Sequence, residues 1–212
     1  MLKRYIKYIF VCMLGCLAVI ASPGTAHAHG GAWGFLFANL DAGWETMRLD
    51  AEGYERNHHG MAVSLAAGMN LLCFMGLGIE QDLGFIALKP KVEGAKTENL
   101  FKGATFLTWP LFSPPMGAAG WQYPDLMAHV KLGLGAIYMK APEGSGKNMQ
   151  AWFAFRPTVA FLYYPDEFSE GEASFGCGLE FAYTLAYAPD NVFDHRDLVH
   201  FFALKAKFIV AF

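Results

Sequence analysis

The chain has 212 residues, 54% of them hydrophobic, with a net charge of −3 and a mean hydropathy of +0.26. Its 19 Phe, 9 Tyr, 5 Trp and abundant aliphatic residues can bury ample surface, which excludes a disordered chain. Beyond the N-terminus no stretch of about 18 residues stays apolar, which excludes a multi-span helical protein, and the length fits one domain.

Residues 1–28 read as a secretory signal peptide. Lys3, Arg4 and Lys7 form a basic start, Ile9 to Ala21 an apolar core, and Ala26-His27-Ala28 places small residues for cleavage after Ala28. Removing the leader takes three cations from the 16 Lys and Arg, leaving 13 against 19 Asp and Glu, a net of −6. That balance gives a nucleic-acid partner no electrostatic support. Cys12 and Cys16 leave with the leader, and the remaining Cys73 and Cys177 do not make a disulfide framework.

Residues 29–212 are read as one domain in which side-chain character alternates with period two, the signature of strands. The first strand falls at about Ala32–Trp44. In Met61–Leu71, Met61, Val63, Leu65 and Met69 oppose Ala62, Ser64, Ala66 and Gly68. In Cys73–Leu88, Leu77, Ile79, Leu83 and Phe85 oppose Gly76, Gly78, Glu80, Asp82 and Gly84. Lys102–Phe112 is a less clean strand because it contains Pro110. In Asp125–Lys140, Leu126, Val130, Leu132 and Leu134 oppose His129, Lys131, Gly133 and Gly135. Ala151–Tyr163 sets Phe153, Phe155, Val159 and Phe161 against Arg156 and Thr158. Ala173–Tyr187 alternates for fifteen residues, and Leu198–Phe212 opposes Phe202, Leu204, Phe208 and Val210 to Lys205 and Lys207. The count is eight. Polar connections are expected at Thr46–Gly60, Lys89–Leu100, Ala141–Asn148 and Ala188–Asp197 on one side, with Asn70–Cys73, Ser113–Pro124 and Pro165–Gly171 on the other.

A soluble barrel buries its large apolar face, whereas a membrane barrel shows it to lipid. Here the opposite face carries Gly, Ala, Ser and Thr with occasional charges, which suits a narrow lumen, and the continuous Leu, Phe and Val suit lipid. Strands of about ten residues or more, tilted, are long enough to cross a bilayer. A closed barrel leaves no backbone polar group without a partner in hydrocarbon.

The chain ends Phe208-Ile209-Val210-Ala211-Phe212, an aromatic terminus in the apolar phase. With the leader and the eight alternating segments, this resembles the small eight-stranded bacterial outer-membrane β-barrel family, the OmpA/OmpX-like transmembrane domain. The resemblance implies an all-β, closed, antiparallel up-and-down transmembrane barrel in the outer membrane of a Gram-negative cell, with both termini periplasmic. It implies that the insertion machinery reads Phe208, Val210 and Phe212, and that outer-membrane lipid and lipopolysaccharide surround the barrel.

With the phase set, Asp41, Glu80, Asp82 and Glu180 point inward with Lys131, Arg156, Lys205 and Lys207. Four acids meet four bases near mid-barrel, and a lumen this narrow tolerates them only if they pair. The expected function is a structural or surface-interaction barrel with a salt-bridged, non-conducting lumen and no cofactor. Two alternatives are a lipid A-modifying enzyme and a small hydrophobic-solute channel. The enzyme would draw on His58, His59, Asp194, His195 and Asp197 in outer loops beside Ser64 at the rim. No catalytic residue and no metal site is assigned; the arrangements that suggest a metal are His58-His59 with the mature N-terminal His29, and His27-Ala28-His29 for cleavage after Ala26 instead. His129 reads as a packed lumen group.

Overall fold

Alternation of large apolar with small or polar side chains builds eight strands. The computed structural model describes residues 36–49, 53–72, 75–92, 94, 96–112, 126–140, 148–164, 173–188 and 198–211. The strands are β1 (Leu36–Arg48), β2 (Asn57–Leu72), β3 (Met75–Leu88), β4 (Glu98–Phe112), β5 (Leu126–Lys140), β6 (Asn148–Tyr163), β7 (Ser174–Tyr187) and β8 (Leu198–Ala211). Each pairs antiparallel with the next, and β1 closes on β8 from Phe37↔Ala211 to Arg48↔His200, giving a closed eight-stranded barrel. The expected leader, residues 1–28, and the terminal Phe212 lie outside the described residues, as do Cys73 and most of the expected connections.

The outward face is the apolar one. Ile79 is 60% exposed while its neighbour Glu80 is 0% exposed, and the same contrast runs along every strand. Cys177, free, stands on the outward face of β7.

Several strands are longer than their apolar alternation. β1 runs on to Arg48, β2 begins at Asn57 and β4 at Glu98, so both ends of the expected connection Thr46–Gly60 and the last residues of Lys89–Leu100 are strand. Apolar alternation stops where the outward face stops needing grease, but the hydrogen-bond ladder does not stop there. Above it the two connections pair with each other: Tyr54 bridges Pro90, Glu55 N–H donates to Lys89 O at 2.8 Å and Lys91 N–H to Gly53 O at 2.9 Å.

Two prolines sit inside strands, each where one ladder skips. Pro110 keeps its β5 partner Lys131, while the β3 ladder steps from Gly78↔Thr108 to Met75↔Leu111. Pro157 keeps Leu132 of β5, while the β7 ladder steps from Phe155↔Leu185 to Thr158↔Ala182. Proline has no N–H to donate, so each is confined to the side where the ladder is open. β6 also carries an extra residue against β5, between the pairs Gly135↔Ala154 and Ile137↔Ala151, so the inward phase passes from Ala151 to Ala154.

Inside, the barrel has three tiers. At the end where β1 leads into β2, Met47, Ile86, Leu88, Leu100, Met139 and Phe201 belong to one buried apolar cluster. At the end holding both strand termini, Phe37, Leu162, Tyr164, Ile209 and Ala211 form another. Glycines make room for the lower rings. A Cβ on Gly68 would lie 2.6 Å from Cζ of Phe37, and one on Gly176 would lie 2.7 Å from Cε1 of Tyr164.

Gly176→Val therefore lowers stability by about 1–3 kcal/mol in urea unfolding followed by tryptophan fluorescence, the usual cost of overpacking. Tyr164→Ala in the same chain relieves most of that penalty; full additivity of the two changes would contradict the contact. Burial also holds the Tyr164 phenol above its ordinary value of 10.0. The neutral phenol is favoured by folding, so this contribution is complete below pH 10 and declines as pH rises beyond it. Tyr164→Phe flattens the alkaline end of the stability–pH curve.

Candidate functional site: the lumen charges

The middle tier is ionic. Asp41, Glu80, Asp82, Glu180, Lys131, Arg156, Lys205 and Lys207 all point into the lumen and are buried. Strand register brings some face to face: Asp41 of β1 opposes Lys207 of β8, and Ser64 of β2 opposes Asp82 of β3. The Lys207 ammonium lies 3.0 Å from Asp41 Oδ2 and 2.8 Å from Glu180 Oε2. Asn39 donates to Asp41 Oδ2 at 2.8 Å.

Other contacts cross the barrel. Lys131 of β5 bonds Glu80 of β3 and lies 3.2 Å from Glu180 of β7. Arg156 of β6 places Nη1 3.1 Å from Glu80 Oε1 and 2.9 Å from Asp82 Oδ2, with its guanidinium 4.8 Å from the centre of the Phe106 ring. Lys205 opposes Glu180 in register, yet its ammonium pairs with Asp82 Oδ1 at 2.7 Å. The register decides which residues share a height; the long side chains decide which of them meet.

Two members escape the expectation drawn from the sequence. Glu45 and Lys102 are buried in the lumen and paired, with Lys102 Nζ 2.6 Å from Glu45 Oε2 and 3.2 Å from Asp82 Oδ2. Lys102 also stands over the Phe201 ring at 5.3 Å. Both fall at strand margins, one residue past the expected end of the first strand and at the first residue of the fourth. The signal was there, since Glu45 lies four residues from Asp41 and Lys102 in phase with Ala104 and Phe106. Among the described residues the lumen thus holds five buried acids and five buried bases. Asp82 is the hub, touching Lys102, Arg156 and Lys205 and accepting from the Ser64 hydroxyl.

Among the described residues that suggested chemistry at the rim, Ser64 and the two β2 histidines are not brought together. Ser64 lies in the lumen among Asp82 and Lys205. His58 and His59 are in β2 and not in a loop. His58 points inward, taking the Lys89 backbone N–H on Nδ1 at 3.2 Å, and His59 points outward beside Thr46. Six residues of one strand separate His58 from Ser64, about 20 Å at the rise of an extended chain. Asp194, His195 and Asp197 lie outside the described residues, as do His27 and His29. His129 is buried facing the lumen. Asp41, Glu80 and Glu180 bring oxygens within 4.8 Å of one another, a spacing that could hold a cation. The Lys131 and Lys207 ammonium groups already bridge those carboxylates.

Removing the hub takes a partner from three cations and leaves Lys205 without a carboxylate, while Lys102 keeps Glu45 and Arg156 keeps Glu80, so Asp82→Ala lowers the unfolding free energy by about 3–5 kcal/mol, the usual cost of leaving a buried charge unpaired. Glu180→Ala costs less, because Lys131 keeps Glu80 and Lys207 keeps Asp41. Denaturant unfolding in detergent micelles ranks the two variants, and an equal or reversed order contradicts the hub.

No protein-family model matches the sequence, and no curated protein matches it. Among solved structures, Neisserial surface protein A is similar over 84% of this chain and 97% of its own, with a TM-score of 0.51 and 12% identity. Ail, the attachment invasion locus protein of Yersinia pestis, solved with the heparin analogue sucrose octasulfate, is similar over 82% of this chain and 98% of its own, with a TM-score of 0.44 and 12% identity. Closure of eight antiparallel strands, an apolar outer face, a charged interior and the likeness to the neisserial protein lead to one conclusion: the chain has the fold of the small eight-stranded outer-membrane β-barrels.

Proposed function

We propose that this protein spans the outer membrane of a Gram-negative cell as a structural or surface-interaction barrel whose lumen does not conduct. The observation that carries the reading is the interior. Ten charged side chains interlock at mid-barrel between two buried apolar clusters, one at each end. An ion crossing this lumen would have to part paired charges that are buried from solvent, and then pass a layer of Leu, Ile, Met and Phe. The interior therefore acts as a brace that holds the wall.

The outward face supports membrane insertion. Leu40, Ile79, Leu132, Phe161, Phe181 and Phe208 stand exposed on it. Exposed apolar surface on this scale is costly in water and favourable in lipid. Both termini belong at the periplasmic end, with residues 49–56 and 89–97 among the connections at the outer surface. Phe208, outward on β8, fits the aromatic terminal strand that the barrel-insertion machinery reads, together with Val210 and Phe212. Membrane lipid and lipopolysaccharide are then the immediate surroundings. The surface role follows the neisserial relative, a surface protein by name.

Planar-bilayer recording tests the closed lumen. The wild-type protein gives no steady, reproducible conductance, and a constant unitary current would overturn the reading. Loss of the hub in Asp82→Ala produces at most transient, irregular openings.

A further inference from the structure

Near the loop end, one part of the outward face is polar. Thr46 and Arg48 of β1 point outward there, and the Cα partner of Thr46 on β2 is His59, while the partner of Arg48 on β8 is His200. Directly opposed residues on antiparallel strands hold their Cβ atoms about 5 Å apart. The four side chains thus form a compact group, with Arg48 exposed. Each histidine is held by a hydroxyl: Tyr183 Oη lies 2.7 Å from His200 Nδ1, and Thr46 Oγ1 lies 3.0 Å from His59 Nδ1. With the hydroxyls donating, each imidazole carries its own proton on Nε2 and has that N–H to donate. No outward position of β1, β2, β7 or β8 carries a carboxylate; the exposed Glu55 lies just before the start of β2, two residues before Asn57, the β2 partner of Arg48.

Beside this group lies an apolar groove of about 560 Å³, lined by Trp44, Val159, Phe181, Tyr183, Phe202 and Leu204 among others. Pro157 lies in it, at the place where the β6–β7 ladder skips. Two of its rings reach the polar group, Trp44 with its centroid 5.6 Å from that of His59 and Tyr183 6.0 Å from that of His200.

We propose that this face binds a membrane lipid with an anionic phosphate headgroup. The phosphate sits against the Arg48 guanidinium, with His200 and His59 as further N–H donors, and an acyl chain lies in the groove beside Trp44. A guanidinium and two N–H donors with no carboxylate among them complement a phosphate. A groove open on the lipid-facing side complements a chain already in the bilayer. The inference rests on the membrane-spanning reading and adds a specific lipid contact to it.

Brominated lipids quench nearby tryptophan, and Trp44 lies in the groove. The full chain is folded into phosphatidylcholine vesicles containing an equal minor fraction of brominated phosphatidylglycerol or brominated phosphatidylcholine. The Trp44 signal is taken as the difference between wild type and Trp44→Phe. Phosphatidylglycerol is expected to quench Trp44 more, with a preference on the order of five-fold, the factor one cation at a membrane surface contributes. Arg48→Gln removes the preference, whereas Lys140→Gln, on the opposite part of the wall, leaves it unchanged. Equal quenching by the two lipids in wild type overturns the site while leaving the barrel embedded. A preference lost equally in Lys140→Gln also overturns it, by reducing it to general surface charge. Absence of quenching by either lipid overturns the membrane reading itself.

Discussion

The structure depends on an ionic network that crosses the lumen. Each of the eight strands supplies a member: Asp41 and Glu45 from β1, Ser64 from β2, Glu80 and Asp82 from β3, Lys102 from β4, Lys131 from β5, Arg156 from β6, Glu180 from β7, and Lys205 with Lys207 from β8. A sheet closed by backbone hydrogen bonds alone resists separation of neighbouring strands but has nothing holding opposite walls together. Arg156 reaching from β6 to Glu80 and Asp82 on β3 supplies such a tie, and so does Lys205 reaching from β8 to Asp82. Buried charges of this kind contribute stability only as a complete set, because removing one member leaves its partners desolvated and unpaired.

The network also explains the composition of the inner wall. Side chains that long need space, and the neighbouring inward positions supply it: Gly43 lies between Asp41 and Glu45, Gly133 opposes Arg156, and Gly178 opposes Lys207. Glycine and alanine inside are thus the counterpart of lysine, arginine and glutamate inside. Aromatic rings complete the packing by lying against the cations, Phe106 on Arg156 and Phe201 on Lys102. The outer wall needs none of this, and Leu, Val, Ile and Phe fill it.

Strand number, phase and the inward direction of Asp41, Glu80, Asp82, Lys131, Arg156, Glu180, Lys205 and Lys207 were legible in the sequence, because period two is a local property of the backbone. Glu45 and Lys102 were missed for the same reason. Local alternation weakens toward the rim, where an outward residue need not be apolar, so strand ends cannot be placed by grease alone. His58 and His59 were read as loop residues on the same ground, although their backbone continues the β2 ladder. Ser64 parts from His58 and His59 for a different reason: sequence neighbourhood placed Ser64 near the outer end, while its phase turned it into the lumen.

By itself, the sequence determined that the chain forms eight alternating strands with an apolar face and a face of small and charged residues. Those properties follow from the two-residue repeat of an extended backbone and need no knowledge of what lies across the barrel. Only the tertiary structure decided the partners. Which carboxylate meets which ammonium depends on the register of each pair, on the extra residue in β6, and on the diameter that lets Lys205 pass over Glu180 to Asp82. The outward group of Arg48, His59 and His200 is likewise a product of register, since the three residues come from β1, β2 and β8 and meet only when the first strand closes on the last.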